Sequence, residues 1–452
     1  MSQVEAATRR WFGAEVASVG VINRLVMAPI LQGQRGWRWW AVLFFAAALS
    51  LLMLVTAIWL FGHGIGIFGN NTTVVWGFPI ANYVWWLGIG HAGTLISALL
   101  LITRQKWRAS LNRFAETMTL FAASLAGLFP IFHLGRPYYL YWLAPYPNVM
   151  GLWPQWRSAL VWDIWAVGTY IIFSAVFWYT GLVPDLAMLR DRAKTLWVRR
   201  FYGVFALGWR GSARHWLIYE RFYRYMAAMA VPLVVSVHSV VSLDFAASLE
   251  PGWQDTIYPP YFVIGALYSG FAMVVVIAGI LRWALNFQAI ITVAHFEVIG
   301  RVLLAASIVM GVSYASEWFW AWYSGARAER ELVSFLFTGA YAPLYYCQLL
   351  FNVVIPQSLW FSAIRRNLPL LMVIAVVINI GMWLERILLI WSTLGRDYLP
   401  SMWRLFLPSL WDWAMLLGSL GLFLLLFILF VRILPAVSAH ELRALLLEGK
   451  QA

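Results

Sequence analysis

Charge is what this sequence has least of. Of 452 residues, 11% are Asp, Glu, Lys or Arg, under half of the roughly 25% carried by soluble domains. A water-soluble body of this length needs a polar coat that so few charges cannot supply, and none falls in apolar runs such as 41–60 and 416–431. Cysteine is nearly missing as well, with Cys347 standing alone. One thiol excludes a disulfide scaffold, a four-thiolate iron–sulfur cluster and a cysteine-type zinc site made by this chain. Any such centre belongs to a partner. The sequence also has no phosphate loop, no nucleophile elbow and no pair of interrupted apolar segments of the kind that marks many transporters. No cleavable leader is expected, because the first apolar run begins near Trp39, behind a polar stretch too long for an n-region.

What is present is 62% hydrophobic residues and 29 Trp, the composition of an all-α integral membrane protein with many interfacial anchors. At about 20 apolar residues per crossing, ten spans are predicted: 39–61, 80–102, 112–134, 158–180, 222–244, 260–284, 298–320, 332–355, 369–391 and 410–433. Basic residues between them are strongly biased. Arg9, Arg10, Arg24, Arg35, Arg38, the 104–113 connection, the 190–224 stretch, and Arg282, Arg301, Arg365, Arg366, Arg432, Arg443 and Lys450 bring one side to 25. The other side holds 6: Arg136, Arg157, Arg327, Arg330, Arg396 and Arg404. With an even number of spans, both termini are expected in the cytoplasm. The net charge of +13 is then an orientation signal rather than a nucleic-acid stripe; the expected partner is the lipid bilayer.

The outer connections 62–82 and 135–155 are rich in Pro, Gly, Asn and aromatics. Pro137, Pro145, Pro147 and Pro154 forbid a helix and predict a compact cap, either a seat for a partner protein or a short ordered loop. The Arg-rich 181–221 segment, with Trp197, Phe201, Tyr202, Phe205 and Trp209, reads as an interfacial piece. Gly62-His63-Gly64-Ile65-Gly66 and the Gly265, Gly270 pair predict close helix contact.

An ionisable side chain inside a span costs at least ~2.5–3.5 kcal/mol on insertion scales, so each is a functional candidate. With alternating span direction, His133 ends the third span, Asp163 lies one to two turns into the fourth, and His238 and Asp244 end the fifth. Glu317 lies near the end of the seventh, and Glu385 and Arg386 within the last two turns of the ninth. All fall at one level near the outer face. Such a set suits a lipophilic hydroquinone, which must lose two protons with its two electrons to acceptors such as carboxylate and imidazole. The bland alternative is that each residue caps a helix or snorkels. At the inner end, His295, Glu297 and Arg301 follow Arg282 and Asn286. Glu297 and Arg301, spaced i, i+4, predict an intrahelical ion pair, or else the mouth of a proton path towards His91. The seven His show no repeated spacing that supports haem.

The stretch Phe129-Pro130-Ile131-Phe132-His133-Leu134-Gly135-Arg136-Pro137, followed by Tyr141-Trp142-Leu143-Ala144-Pro145-Tyr146-Pro147-Asn148, Gly151-Leu152-Trp153-Pro154-Gln155-Trp156-Arg157-Ser158 and Asp163, resembles the NrfD-like membrane subunits of polysulphide reductases. The longer block is similar to the membrane subunits of bacterial alternative complex III, nearer the quinol-binding ActC type than its paralogue, the ActF type. The resemblance implies two four-helix bundles: a cytoplasmic segment 1–38, the first span and quinol-site bundle over 39–244, a second bundle over 245–391, and the last span and cytoplasmic tail over 392–452. It implies a quinol or menaquinol site of His133, Asp163, Asp244 and Arg386 near the periplasmic face, with His91, His238 and Glu317 on a proton path whose inner mouth, from the residue reading above, is Glu297. It also implies partners: a periplasmic iron–sulfur subunit, c-type cytochrome subunits carrying haem, and a paralogous NrfD-like subunit, all at the bacterial inner membrane. No metal is expected in this chain. A quinone- or polysulphide-reducing subunit beside a molybdenum enzyme, a paralogue without a quinol site, and an ion-coupled transporter are the competing readings.

Overall fold

The computed structural model describes residues 10–16, 18–31, 36–143, 151 and 155–451. Arg9, Arg35, Pro145, Pro147 and Pro154 lie outside the described residues. Among those described there is no strand, as expected where lipid leaves each segment to satisfy its own backbone hydrogen bonds. The helices are α1 (Val19–Leu31), α2 (Trp37–His63), α3 (Gly77–Ile102), α4 (Asn112–His133), α5 (Ala159–Arg192), α6 (Leu196–Phe205), α7 (Ala213–Ala246), α8 (Tyr258–Ala284) and α9 (Val293–Tyr323). They continue as α10 (Arg327–Thr338), α11 (Ala342–Leu349), α12 (Ser362–Arg366), α13 (Leu368–Leu394), α14 (Leu410–Ile433) and α15 (Ala439–Gln451). Nine of these, α2, α3, α4, α5, α7, α8, α9, α13 and α14, are uninterrupted and long and apolar enough to cross a membrane.

The predicted eighth span is the exception. Residues 332–355 do not form one helix: α10 stops at Gly339, α11 restarts at Ala342, and the rod continues as a π turn (Leu350–Val354) and a 3₁₀ turn (Ile355–Trp360) before α12. It nonetheless runs the length of α9 in the opposite direction. Tyr345 meets Trp318, Asn352 meets Tyr314, Gln357 meets Ser307, and Arg366 meets Glu297. Pro343 and Pro356, each at the start of a new piece, lack the N–H that a continuous helix needs, which accounts for the segmentation.

The Arg-rich 181–221 segment also differs from expectation. Residues 181–192 prolong α5, 213–221 open α7, and only α6 is a separate interfacial helix. Hydropathy marks the lipid-crossing part of a helix, whereas its hydrogen bonds continue into water. At 1.5 Å per residue these two 34-residue helices reach about 50 Å, beyond the ~30 Å hydrocarbon core. On α6, Trp197 and Val204 are exposed, and Tyr202 is buried, its hydroxyl donating to the Ile433 carbonyl at 2.8 Å.

Helices α3, α4, α5 and α7 pack as one group and α8, α9, the segmented rod and α13 as another, joined mainly through α3 and α8, with α2 and α14 paired outside. Small residues permit the closest approaches. A Cβ on Gly270 would fall 1.8 Å from the Ala92 Cβ, and one on Gly93 2.0 Å from the Ala115 carbonyl oxygen. Gly270→Val therefore separates α8 from α3 and lowers stability by about 1–3 kcal/mol, read as an earlier thermal transition in detergent. The 62–66 glycines behave otherwise: no atom lies near their Cβ positions. Gly64, at φ +82°, ends α2 by donating its N–H to the Leu60 carbonyl, so this motif is a helix stop and not a helix contact.

Candidate functional site

"Outer" below denotes the end of the bundle where α4 finishes and α5 begins. There the His133-Leu134-Gly135-Arg136-Pro137 run turns the chain. Pro130 interrupts the hydrogen bonding of the last turn of α4, Gly135 takes φ +64° with its Cβ position 3.0 Å from the Ile65 nitrogen, and Pro137 starts a 3₁₀ turn. His133 closes α4, its Nδ1 buried and without a hydrogen-bond partner among the described residues. On α5, Asp163 is buried and accepts a short hydrogen bond on Oδ2 from the Tyr83 hydroxyl of α3. Asp244 on α7 lies within electrostatic reach of both Asp163 and Tyr83. Among the described residues, Asp163 Oδ1 and Asp244 Oδ1 have no hydrogen-bond partner.

Deeper in the same group, His91 of α3 and His238 of α7 are buried and touch through their Nδ1 atoms at 3.0 Å. His91 Nδ1 also lies 2.8 Å from the Leu87 carbonyl oxygen, and the Tyr170 ring stacks on the His91 ring at 4.4 Å. Beside the two imidazoles is a void of about 10 Å³, on the scale of a single water. Polar contacts continue inward: Tyr170 and Thr119 hydroxyls donate to the Gly90 carbonyl, and Thr94 donates to Ser174 at 3.2 Å.

Arg386 is not part of the outer group. With Glu385, Glu317 and Tyr314 it sits in the second helix group, its guanidinium 3.9 Å from the Phe262 ring and 3.2 Å from Glu385. Sequence depth puts these residues at one level as Asp163, but depth does not say which way a helix faces. The Tyr314 hydroxyl donates to Glu385 Oε2, and Asn352 of the π turn donates to the Tyr314 oxygen at 2.9 Å. Beside them, towards the outer end, opens a cavity of about 300 Å³ lined by Asp255, Tyr258, Tyr261, Glu317, Glu329 and Glu385 among others. His238 faces this group across Phe262, with ring centres 5.9 Å apart.

Glu297 is held by Arg301 at 2.8 Å and by Arg366 at 3.2 Å, so it belongs to an ion pair, and among the described residues no hydrogen bond joins it to His91. His295 accepts from the Thr292 N–H at 3.1 Å and caps α9. Sequence reasoning missed Tyr83 and Tyr314, which carry no charge to make them stand out in an apolar run, although each engages a buried carboxylate. It also missed the inner end of the first group. There Arg113 bridges Asp185 at 3.2 Å and Glu116 at 3.5 Å, and Tyr223 donates to Glu116 at 2.8 Å. Among the described residues, no group of three His, Cys, Asp or Glu is placed to hold a metal ion.

Fold and buried groups together define a polytopic helical membrane protein with ionisable side chains buried inside its helix groups. The family model for polysulphide reductase, NrfD, matches residues 66–396, and the chain belongs to that family. It is thus a multi-pass protein of the bacterial inner membrane and a membrane subunit of the quinone- and polysulphide-type oxidoreductases, whose NrfD subunits pair with iron–sulfur or molybdenum oxidoreductase subunits. No curated protein matches the chain.

Proposed function

We propose that this chain is the quinol-binding subunit of a complex of the alternative complex III type. In this reading quinol docks at the outer end of the first group, among His133, Asp163 and Asp244. The observation that carries it is a set of three buried polar atoms on three helices, His133 Nδ1, Asp163 Oδ1 and Asp244 Oδ1, all without a hydrogen-bond partner among the described residues. A hydroquinone supplies two O–H donors, and buried acceptors left unmatched cost free energy until such donors arrive. Tyr83 occupies the other oxygen of Asp163 and so aims Oδ1 at the ligand. On oxidation each hydroxyl gives its hydrogen as a proton to a carboxylate or imidazole. The two electrons go to a periplasmic iron–sulfur subunit and on to c-type cytochromes, with a paralogous NrfD-like subunit alongside. His91 and His238 continue the route for protons, and Arg386 and Glu317 flank it in the second group.

The test is binding of a quinone-site inhibitor to the assembled complex. His133→Leu and Asp244→Leu each weaken it by about 3- to 10-fold, the worth of one hydrogen bond. Unchanged affinity in both variants overturns the site. Ion-coupled uptake by liposomes holding this chain alone would favour the transporter instead.

A further inference from the structure

The inner end of the first helix group is closed by the chain's own C-terminus. Helix α15 folds back and inserts two residues into a buried ionic cluster. Glu441 takes Arg108 at 2.6 Å and the Asn112 amide at 3.0 Å, and the side chains of that ion pair are only 9% and 12% exposed. His440 lies 3.7 Å from Asp185 and 3.1 Å from the Tyr219 hydroxyl. Val437, Ser438, Ala439 and Leu442 are wholly buried, so the helix is seated and not merely nearby. Only at the rim, where Lys106 stands 3.9 Å from Glu448, does the cluster reach exposed side chains.

Beneath this helix is Glu116 of α4, 1% exposed. One oxygen, Oε1, accepts from Ser97 of α3 and Tyr223 of α7. The other faces Arg113 at 3.5 Å and makes no hydrogen bond among the described residues. The charged and titratable groups around it are Arg113 on its own helix, Arg108 in the preceding turn, Asp185 on α5, Tyr219 and Tyr223 on α7, and His440, Glu441 and Arg443 on α15. Three guanidinium groups thus face three carboxylates, and the cluster is balanced without a further proton. A proton taken up on the unmatched oxygen of Glu116 leaves the closed cluster with one uncompensated positive charge, which is costly in a buried site, so uptake there is tied to opening of the cluster to water. Ser97 lies one turn inward of Thr94 on α3, as Thr94 lies one turn inward of His91, so Glu116 stands at the inner end of the run of polar contacts described above.

We propose that Glu116 is the inner proton-binding group of this run and that α15 is its lid, admitting protons from the aqueous phase when the Arg108–Glu441 latch parts. The inference rests on the reading that the chain moves protons. It is tested on the assembled complex by two readouts. Infrared titration shows a carboxyl band that Glu116→Gln removes and Glu441→Gln leaves in place but makes faster to answer a pH jump. Hydrogen exchange of peptides covering 106–120 rises about tenfold in Glu441→Gln, as expected for a locally opened unit, while 77–90 at the outer end is unchanged. Should that variant assemble poorly, Glu441→Asp, shorter by one methylene, loosens the same latch. No band lost in Glu116→Gln, or unaltered exchange with the latch cut, overturns the proposal. A wild-type complex that moves no protons in liposomes would sink the transport reading while leaving both readouts standing.

Discussion

Asp163→Asn should abolish quinol oxidation by the complex while leaving its assembly intact. The amide keeps the shape of the carboxylate and can still accept from Tyr83, so packing at this buried position is preserved. What is lost is a group able to take a proton, and proton transfer to a positioned side chain is typically worth 10²–10⁴-fold in rate. Turnover falls by about that factor, measured as cytochrome reduction with saturating quinol. Tyr83→Phe separates positioning from proton acceptance: it removes the donor that fixes Oδ2 and leaves the carboxyl itself. It should raise KM more than it lowers kcat. Full turnover in Asp163→Asn would remove Asp163 from the chemistry.

The second large effect is on stability. Arg113 is fully buried, its side chain donating to the Gly181 carbonyl at 2.5 Å and to the Trp178 carbonyl at 3.3 Å while bridging Asp185 and Glu116. Arg113→Leu leaves two carboxylates buried without their cation, and breaking a buried pair by deleting one partner costs about 3–5 kcal/mol. The expected result is a chain that unfolds in detergent many degrees below wild type. Arg113→Lys, which keeps the charge but loses the fork that spans two carboxylates, should fall between. An unchanged transition in Arg113→Leu would mean that the cluster contributes nothing to holding α4 against α5.

What could be read from the sequence follows the strength of each physical signal. Nine spans were legible because lipid demands about 20 apolar residues in a row. The eighth was legible as an apolar stretch and misleading as one helix, since Pro343 and Pro356 matter only once helix starts are known. His133, Asp163 and Asp244 were visible because ionisable residues are so rare in the spans. Arg386 was visible for the same reason, but was grouped with them because sequence gives depth and not azimuth. Arg108 and Arg113 were visible only as charges counting towards orientation. That Arg108 is the buried partner of Glu441 depends on a C-terminal helix returning from more than 300 residues away, which no local pattern announces, and Arg113 finds Glu116 one turn on and Asp185 on α5.

The contact between His91 and His238 carries a constraint on hydrogen bookkeeping. Two imidazole nitrogens 3.0 Å apart need one hydrogen between them, and the Leu87 carbonyl oxygen beside His91 Nδ1 can only accept. The arrangement that satisfies all three atoms puts the hydrogen on His91 Nδ1, leaves His238 Nδ1 as a bare lone pair, and places the hydrogen of His238 on Nε2. A proton handed from one ring to the other leaves both in the reverse tautomer, with a lone pair turned on the Leu87 oxygen. The pair then cannot pass a second proton in the same sense until both rings have been reset. On the proposed proton route, two histidines in this contact would therefore act as a ratchet to be rewound after each passage, and not as an open wire.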